Sequence, residues 1–223
     1  MSFRSRVLIL LPSLLAIALA SAGPAQAAKG VWSLGGNFGT GIYSNSEIND
    51  DLDLIGIDKI TSGWEYGGSL RYGISPKASI DAEFNSINGK SSTSDSPNPD
   101  IEASTTGMAV PLSLYYTLSE NDDALFNLFI GAGPMFSTKY KLEQGSNSIE
   151  GKGKTTFYAH LGLEAQYKLS PTFALTARAL GRLAKASDVE DKDDPSNTED
   201  VDLSGAAFSL GARLYFGGGA AGN

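Results

Sequence analysis

The chain has 223 residues, 41% of them hydrophobic, and a formal net charge of −8 at pH 7. This acidity argues against a nucleic-acid partner, because nucleic-acid binding relies on basic surfaces that neutralise phosphates. The sequence contains no cysteine, which excludes disulfides, thiolate metal sites and a lipid-modified N-terminal cysteine.

The N-terminus has the pattern of a secretory signal peptide. Arg4 and Arg6 precede an apolar run over residues 7–20, and Ala25-Gln26-Ala27 supplies a small-residue cleavage site. The run is shorter than the roughly 20 apolar residues that a transmembrane helix needs. We therefore predict that residues 1–27 are removed after export through the Sec pathway.

Eight later segments alternate apolar and polar residues with the period of two that is typical of β-strands. They cover residues 31–43, 63–74, 78–87, 105–118, 125–138, 156–169, 173–184 and 209–216. The first seven reach the length, about 9–11 residues, that a tilted strand needs to cross a bilayer, although the third is marginal. Most soluble strands are shorter, at about 5–6 residues.

The connections between these segments alternate between short and long. Short turns lie near Pro76, at 119–124 and near Pro171, whereas long polar connections cover residues 44–62, 88–104, 139–155 and 185–204. Short periplasmic turns and long external loops are typical of outer-membrane barrels. We predict an eight-stranded antiparallel up-and-down transmembrane β-barrel over residues 28–216.

This topology brings aromatic residues of the apolar face to one end of the barrel. An aromatic girdle is common where a barrel crosses the membrane–water interface. The predicted periplasmic girdle consists of Trp32, Tyr72, Tyr116, Phe126, Tyr167, Phe173 and Phe216.

The opposite, polar face carries charges of both signs, which we predict to pair inside the barrel because unpaired buried charges are costly. A hairpin at Pro171 places Glu164 opposite Arg178 and His160 opposite Arg182, and the turn at Pro76 places Arg71 beside Asp81 or Glu83. The predicted lumen charge network is Glu65, Arg71, Asp81, Glu83, His160, Glu164, Arg178, Arg182 and Arg213. An eight-stranded lumen is narrow enough for side chains to fill, so we expect a plug; the alternative is a gated, narrow ion path.

Acidic runs lie in the first and fourth long connections, at residues 50–53 and 188–194. A closed barrel makes these connections neighbours, and hard cations take carboxylate ligands. Neither run completes an EF-hand; in the first connection Ile55 stands where a ligand is expected and Ser62 stands where the bidentate Glu would be. We interpret the runs as solvated charge and predict no metal and no cofactor.

The third connection is basic and offers weak contacts to lipopolysaccharide phosphates. Its four lysines are Lys139, Lys141, Lys152 and Lys154.

An enzyme is not indicated. His160 is the only histidine, Gly162 stands where a serine two residues later would be, and no serine–histidine pair stands out. We predict no catalytic residue.

Three stretches carry a family resemblance: PLSLYYTL at 111–118, NLFIGAGPMF at 127–136 and the terminal SLGARLYF at 209–216. The chain resembles the small outer-membrane β-barrel family that includes the OmpA transmembrane domain and its single-domain, porin-like relatives in Gram-negative bacteria. The resemblance implies a place in the bacterial outer membrane, among its lipid and lipopolysaccharide. It also implies a terminal signal for the barrel-assembly machinery at Ser209, Gly211, Leu214 and Phe216.

The chain departs from the family by continuing past the terminal aromatic residue with a short glycine-rich periplasmic tail, residues 217–223. The function expected from this sequence is a structural or surface-interaction role through the external loops. One alternative is a narrow channel for small solutes or ions. Another is a soluble periplasmic lipocalin-like binder, in which the apolar face would lie inside.

Overall fold

The computed structural model describes residues 29–54, 58–92, 101–144, 147–192 and 198–216, so the predicted signal peptide and glycine-rich tail lie outside the described residues. Strands dominate this part of the chain. They are β1 (Trp32–Tyr43), β2 (Ser62–Ser75), β3 (Ala78–Ser92), β4 (Ile101–Ala109), β5 (Leu112–Glu120), β6 (Ala124–Gln144), β7 (Asn147–Lys152), β8 (Thr156–Ser170), β9 (Phe173–Asp191), β10 (Thr198–Asp202) and β11 (Gly205–Phe216). One helix, α1 (Ser46–Leu54), follows β1.

The strands close into an antiparallel ring with eight strand positions, and we call each position a stave. The order is β1, β2, β3, β4 with β5, β6, β8, β9 and β11, and β11 pairs back onto β1 over its full length. The eight-stranded antiparallel barrel predicted from the sequence is therefore confirmed. The fourth stave differs from the single predicted strand, because it is interrupted between Ala109 and Leu112, where Pro111 has no N–H to offer a ladder.

The apolar face of the staves points outward. Leu112 is 60% exposed, and Leu34, Leu70, Ile130 and Leu161 are exposed on other staves. So continuous an apolar surface is unfavourable in water and is typical of a surface that contacts lipid. The soluble alternative, which requires the apolar face inside, is contradicted by this arrangement.

The end of the barrel opposite the short turns, which we call the external end after its predicted orientation, differs most from the sequence prediction. Residues predicted as long polar loops instead continue β3, β4, β6 and β9 beyond the ring, and β7 and β10 join this external sheet. Helix α1 packs against β10. No helix in the described ranges is long and apolar enough to cross a membrane.

Two irregularities explain why the alternating pattern failed at this end. Ser137 in β6 and Asp188 in β9 both adopt φ of 53°. The β4–β6 ladder shifts register at Ser137, and the β10–β9 ladder shifts register at Asp188. An extra residue of this kind exchanges the faces of a strand. Beyond the two positions, Tyr140 and Val189 therefore face the interior, where both are buried.

The interior of the external sheet is consequently apolar. We call its buried cluster the apolar tier. It contains Tyr43, Ile48, Leu52, Ile60, Ile87, Ile101, Ala103, Ala109, Met135, Tyr140, Tyr158, Ala184, Ala186, Val189, Val201 and Leu203. The tier closes the outer end of the lumen.

Candidate functional site

The lumen inside the ring holds the second buried layer, which we call the polar tier and define by the nine residues predicted for the charge network. Eight of the nine are buried, and the Glu65 side chain is 13% exposed. They lie on β2, β3, β8, β9 and β11, since alternate residues of a barrel strand face inward. The structure thus brings the whole set into one enclosed layer.

At the side of the polar tier nearest the short turns, two arginines share one aspartate. Arg71 lies 2.9 Å from Asp81 and 2.8 Å from Glu164, and Arg213 lies 3.1 Å from the same Asp81 oxygen. Arg213 also donates to the hydroxyl of Ser69 at 2.8 Å. Charge-assisted bonds of this kind are the strong ones, so they bind β2, β3, β8 and β11 together across the lumen.

The centre of the polar tier is built on Glu83. Arg178 donates to Glu83 at 2.9 Å, and the Tyr115 hydroxyl donates to the same carboxylate at 3.2 Å. Two cation–π contacts lie beside this carboxylate: the Arg71 guanidinium is 3.5 Å from the Tyr115 ring centroid, and the Arg178 guanidinium is 4.7 Å from the Phe129 ring centroid. The rings of Tyr115 and Phe129 therefore pack against the guanidinium groups of Arg71 and Arg178.

The outer side of the polar tier meets the apolar tier at one bidentate pair. Arg182 donates to the two oxygens of Glu65 at 2.7 Å and 2.6 Å, and its Nε donates to the Leu203 carbonyl at 2.8 Å. The Tyr43 hydroxyl donates to Glu65 at 3.3 Å. This pair is the boundary between charged and apolar interior.

The strand register places Glu164 opposite Arg178, His160 opposite Arg182 and Arg71 opposite Asp81, as the turns predicted. The nearest side-chain partners differ for the first two pairs. Arg178 lies 2.9 Å from Glu83 but 3.9 Å from Glu164, and Arg182 binds Glu65. Register fixes only the backbone, whereas long side chains in a narrow lumen reach carboxylates on other staves.

His160 takes part in a contact that sequence reasoning missed. Its Nε2 lies 2.8 Å from the Ser113 hydroxyl, and its Nδ1 lies 3.1 Å from the Tyr158 hydroxyl. Ser113 and His160 belong to β5 and β8, which both pair with β6 at Gly131. A side chain on Gly131 would occupy the space where they meet, so the glycine between two inward polar residues was the signal available in the sequence.

The arrangement around His160 is that of a packed polar cluster. In a serine–histidine–carboxylate triad the carboxylate binds the ring nitrogen opposite the serine, whereas here that nitrogen faces Tyr158. Glu83 lies on the serine side, 3.8 Å from Nε2. Ser113 and His160 are only 1% and 3% exposed, so a substrate has no direct access to the hydroxyl.

The seven predicted girdle residues lie on the outer surface near the short turns. Trp32 and Tyr72 are register partners with ring centroids 4.7 Å apart, and Trp32 also faces Phe216 on β11. Tyr116, Tyr167 and Phe216 are exposed, whereas Tyr72, Phe126 and Phe173 are partly exposed.

The predicted assembly signal lies on β11, which joins the last stave to the first. Ser209 is buried toward the lumen, whereas Leu214 and Phe216 are exposed on the outer face. Gly211 packs against the β1 backbone so closely that a Cβ there would meet the Gly36 carbonyl.

The first acidic run lies on α1, where Asp50 and Asp51 are exposed and Leu52 is buried in the apolar tier. Because α1 packs against β10, it lies beside the fourth connection, as predicted; residues 193–197 and Ile55 lie outside the described residues. Over the described ranges, no group of three or more acidic or histidine side chains is placed to hold a metal ion.

Three of the four lysines predicted for lipopolysaccharide contact lie close to glutamates. Lys139 is 2.9 Å from Glu150, Lys141 is 2.5 Å from Glu143, and Lys154 is 2.7 Å from Glu190. The hydrogen bond from Lys139 lowers the pKa of the Glu150 carboxyl. This surface is consequently a set of ion pairs and not a purely basic patch.

Comparison with known structures shows the same type of fold. The chain is similar to Ail, the attachment invasion locus protein of Yersinia pestis, solved in complex with the heparin analogue sucrose octasulfate; identity is 16% and the TM-score 0.50, over 85% of this chain and 100% of that chain. It is also similar to OprG from Pseudomonas aeruginosa, at 15% identity and a TM-score of 0.49 over 88% and 99% of the two chains. A third similar structure is the outer membrane protease OmpT from Escherichia coli, at 10% identity and a TM-score of 0.41 over 86% and 98%.

No curated protein matches the chain. The family model of the outer membrane protein β-barrel domain, however, matches residues 13–216, which include every stave of the ring. The closed ring of eight strands and the outward apolar face agree with that match. The chain belongs to the outer membrane protein β-barrel family.

Proposed function

We propose that this outer-membrane barrel is a closed scaffold that presents its external sheet to the surroundings of the cell, in a structural or surface-interaction role. The observation that carries the proposal is the filling of the interior by two stacked layers. The polar tier joins the staves by ion pairs across the lumen, and the apolar tier fills the outer end.

The two tiers oppose ion passage for different physical reasons. In the polar tier an ion would have to displace paired groups such as Arg71 and Asp81, which lie 2.9 Å apart. In the apolar tier the side chains of Ile60, Ile87 and Met135 offer no ligands to replace an ion's hydration shell. The channel alternative therefore needs both layers to rearrange.

Planar-bilayer recording tests this proposal directly. We expect the folded full-length protein to give no steady, ohmic single-channel current, with an open porin in the same lipid as the positive control. Stable conductance steps that scale with salt concentration would contradict the proposal and make the narrow channel the leading function.

We further propose that the protein is not an enzyme, although the protease OmpT shares the fold type. The support is the geometry at Ser113 and His160, which are buried and oriented unlike a triad. The hydrogen bonds of this cluster serve to fix β5 against β8 across Gly131.

Two segments of the sequence, one N-terminal and one on β11, carry signals for export and assembly in this proposal. We propose that residues 1–27 direct Sec export and are then removed, leaving the barrel domain from residue 28 to 216 and the periplasmic tail 217–223. We also propose that the barrel-assembly machinery reads Ser209, Gly211, Leu214 and Phe216 on β11, and that the girdle sits at the periplasmic interface.

The chemistry of the external partner is suggested by charge. Ail was solved with a polyanionic ligand, but three of the external lysines here are paired with glutamates. The exposed Asp50, Asp51 and Asp53 of α1 add negative charge to this end. We propose that the external sheet faces lipopolysaccharide at its sides, while the part that carries the exposed aspartates of α1 favours cationic partners.

A further inference from the structure

A cavity of about 290 Å³ lies at the end of the lumen nearest the short turns, and we call it the mouth cavity. It extends from Arg71 of the polar tier to Pro171 in the turn between β8 and β9. Pockets for small ligands begin at about this volume. The mouth cavity therefore has room for a compact ligand or a short stretch of peptide.

Most polar groups in the wall of the mouth cavity already bond to one another. Gln166 and Asn127 donate to Glu164 at 2.5 Å and 3.3 Å. Thr117 donates to Asn127 at 2.9 Å, and the Tyr215 hydroxyl donates to Gln166. These side chains form a satisfied wall and do not require an occupant.

Two donors that line the mouth cavity lack such partners. Within the described part of the chain, neither the partly buried Lys168 ammonium nor the Ser79 hydroxyl has a hydrogen-bond or ion-pair partner. Glu120 and Asp122 lie near enough to Lys168 to offset its charge. Because a donor left without an acceptor is costly when it is removed from water, an uncharged acceptor such as a peptide carbonyl suits this position.

The sequence supplies such acceptors directly after β11. Residues 217–223 read Gly-Gly-Gly-Ala-Ala-Gly-Asn and begin two positions after Tyr215, which lines the mouth cavity. Glycine adopts positive and negative φ with similar ease, so three in succession allow the chain to reverse toward the lumen. The segment carries no charge and, before Asn223, no side chain larger than a methyl group. It can therefore enter a narrow space.

The dimensions of the lumen permit this contact. Seven residues extend up to about 23–25 Å, whereas the Arg213 guanidinium on β11 reaches across to lie 3.1 Å from the Asp81 carboxylate on β3. Ser79 lies two residues before Asp81 on the inward face of β3. Ser79 and Lys168 are consequently within reach of a chain segment that starts after Phe216.

We propose that residues 217–223 fold back into the mouth cavity as an internal ligand, with backbone carbonyls that accept hydrogen bonds from Lys168 and Ser79. This inference goes beyond the proposed scaffold function, which rests on the polar and apolar tiers alone. It gives the segment that departs from the family pattern a defined role, which is to cover the polar tier on the side of the short turns.

Cysteine cross-linking locates the segment, because the chain contains no cysteine of its own. Ala221→Cys is combined either with Ser79→Cys, at a position that lines the mouth cavity, or with Ile80→Cys, at the neighbouring position on the outer face of β3. In the full-length barrel in non-ionic detergent, we expect the first pair to form an intramolecular disulfide in most molecules and the second pair in few. Loss of maleimide labelling measures both. Equal cross-linking of the two pairs, or more by the Ile80 pair, would overturn the proposal.

Lysine acetylation followed by mass spectrometry tests the expected hydrogen bond. Deletion of residues 217–223 is expected to raise the acetylation rate of Lys168 about tenfold, the factor that corresponds to the loss of one hydrogen bond to a charged group. Lys77, which is exposed in the turn between β2 and β3, is the internal control and is expected to react at the same rate in both proteins.

Retained heat-modifiable gel migration shows that the deletion variant folds. An unchanged acetylation rate of Lys168 in that folded variant would refute the contact. Neither experiment depends on whether the barrel conducts, so a failure of this inference is distinguishable from a failure of the proposed scaffold function.

Discussion

Replacing Arg178 by alanine is expected to destabilise the barrel by about 3–5 kcal/mol, the cost of breaking a buried ion pair from one side. Arg178 is buried and donates to Glu83 at 2.9 Å, so the substitution leaves the Glu83 carboxylate inside the lumen without its nearest cation. The free energy of unfolding, measured by urea titration of the protein refolded in lipid vesicles, checks this value.

Two further variants separate the loss of charge pairing from the loss of volume. Arg178→Met combined with Glu83→Gln removes both charges while keeping most of the packing, and is expected to recover most of the stability. Lys154→Ala, which removes an exposed partner of Glu190, is expected to leave stability unchanged. An Arg178→Ala protein as stable as the original would show that the polar tier does not hold the staves together.

Placing an arginine on the outer face is expected to cost nearly as much. Leu112 lies within the apolar band and is 60% exposed, and an arginine near the bilayer midplane costs about 2–4 kcal/mol. We expect Leu112→Arg to lower the unfolding free energy in vesicles by this amount and to slow insertion. The same urea titration and a refolding time course measure the two effects.

The matched control is Leu54→Arg on α1, where the leucine is 85% exposed but belongs to the external end. Both variants put a charge in place of an exposed leucine, and only Leu112 lies on the apolar face that we expect to contact lipid. If Leu112→Arg is as harmless as Leu54→Arg, the outward apolar face does not contact a bilayer.

The barrel itself was predictable because its signal is local. Alternation with period two separates the apolar face of each stave from its polar face, and turns such as that at Pro171 fix which strands pair and in which register. The register that places Glu164 on β8 opposite Arg178 on β9 follows from these two facts. The number of alternating segments gives the number of strands, and eight strands enclose only a narrow lumen.

The external end was not predictable in the same way. Single residues at φ of 53°, Ser137 and Asp188, exchange the two faces of their strands, and neither is a glycine that would mark such a position. Beyond them Tyr140 and Val189 turn inward, so apolar residues read as parts of polar loops form a core instead.

The side-chain contacts of the polar tier could not be predicted from the sequence for a different reason. Strand register places Cα atoms, but Arg182 reaches Glu65 on another stave, and Ser113 meets His160 only because Gly131 leaves room between them. Such contacts depend on side-chain length and on small residues across the lumen. They become visible only when the closed ring is assembled.

This chain is a folded outer-membrane barrel with its polar face inside. Cell fractionation followed by gel migration of unboiled and boiled samples tests this arrangement most directly. We expect recovery in the outer-membrane fraction, with the unboiled protein migrating as a compact species that boiling converts to the unfolded form. Recovery as a soluble periplasmic protein with identical migration before and after boiling would contradict the claim.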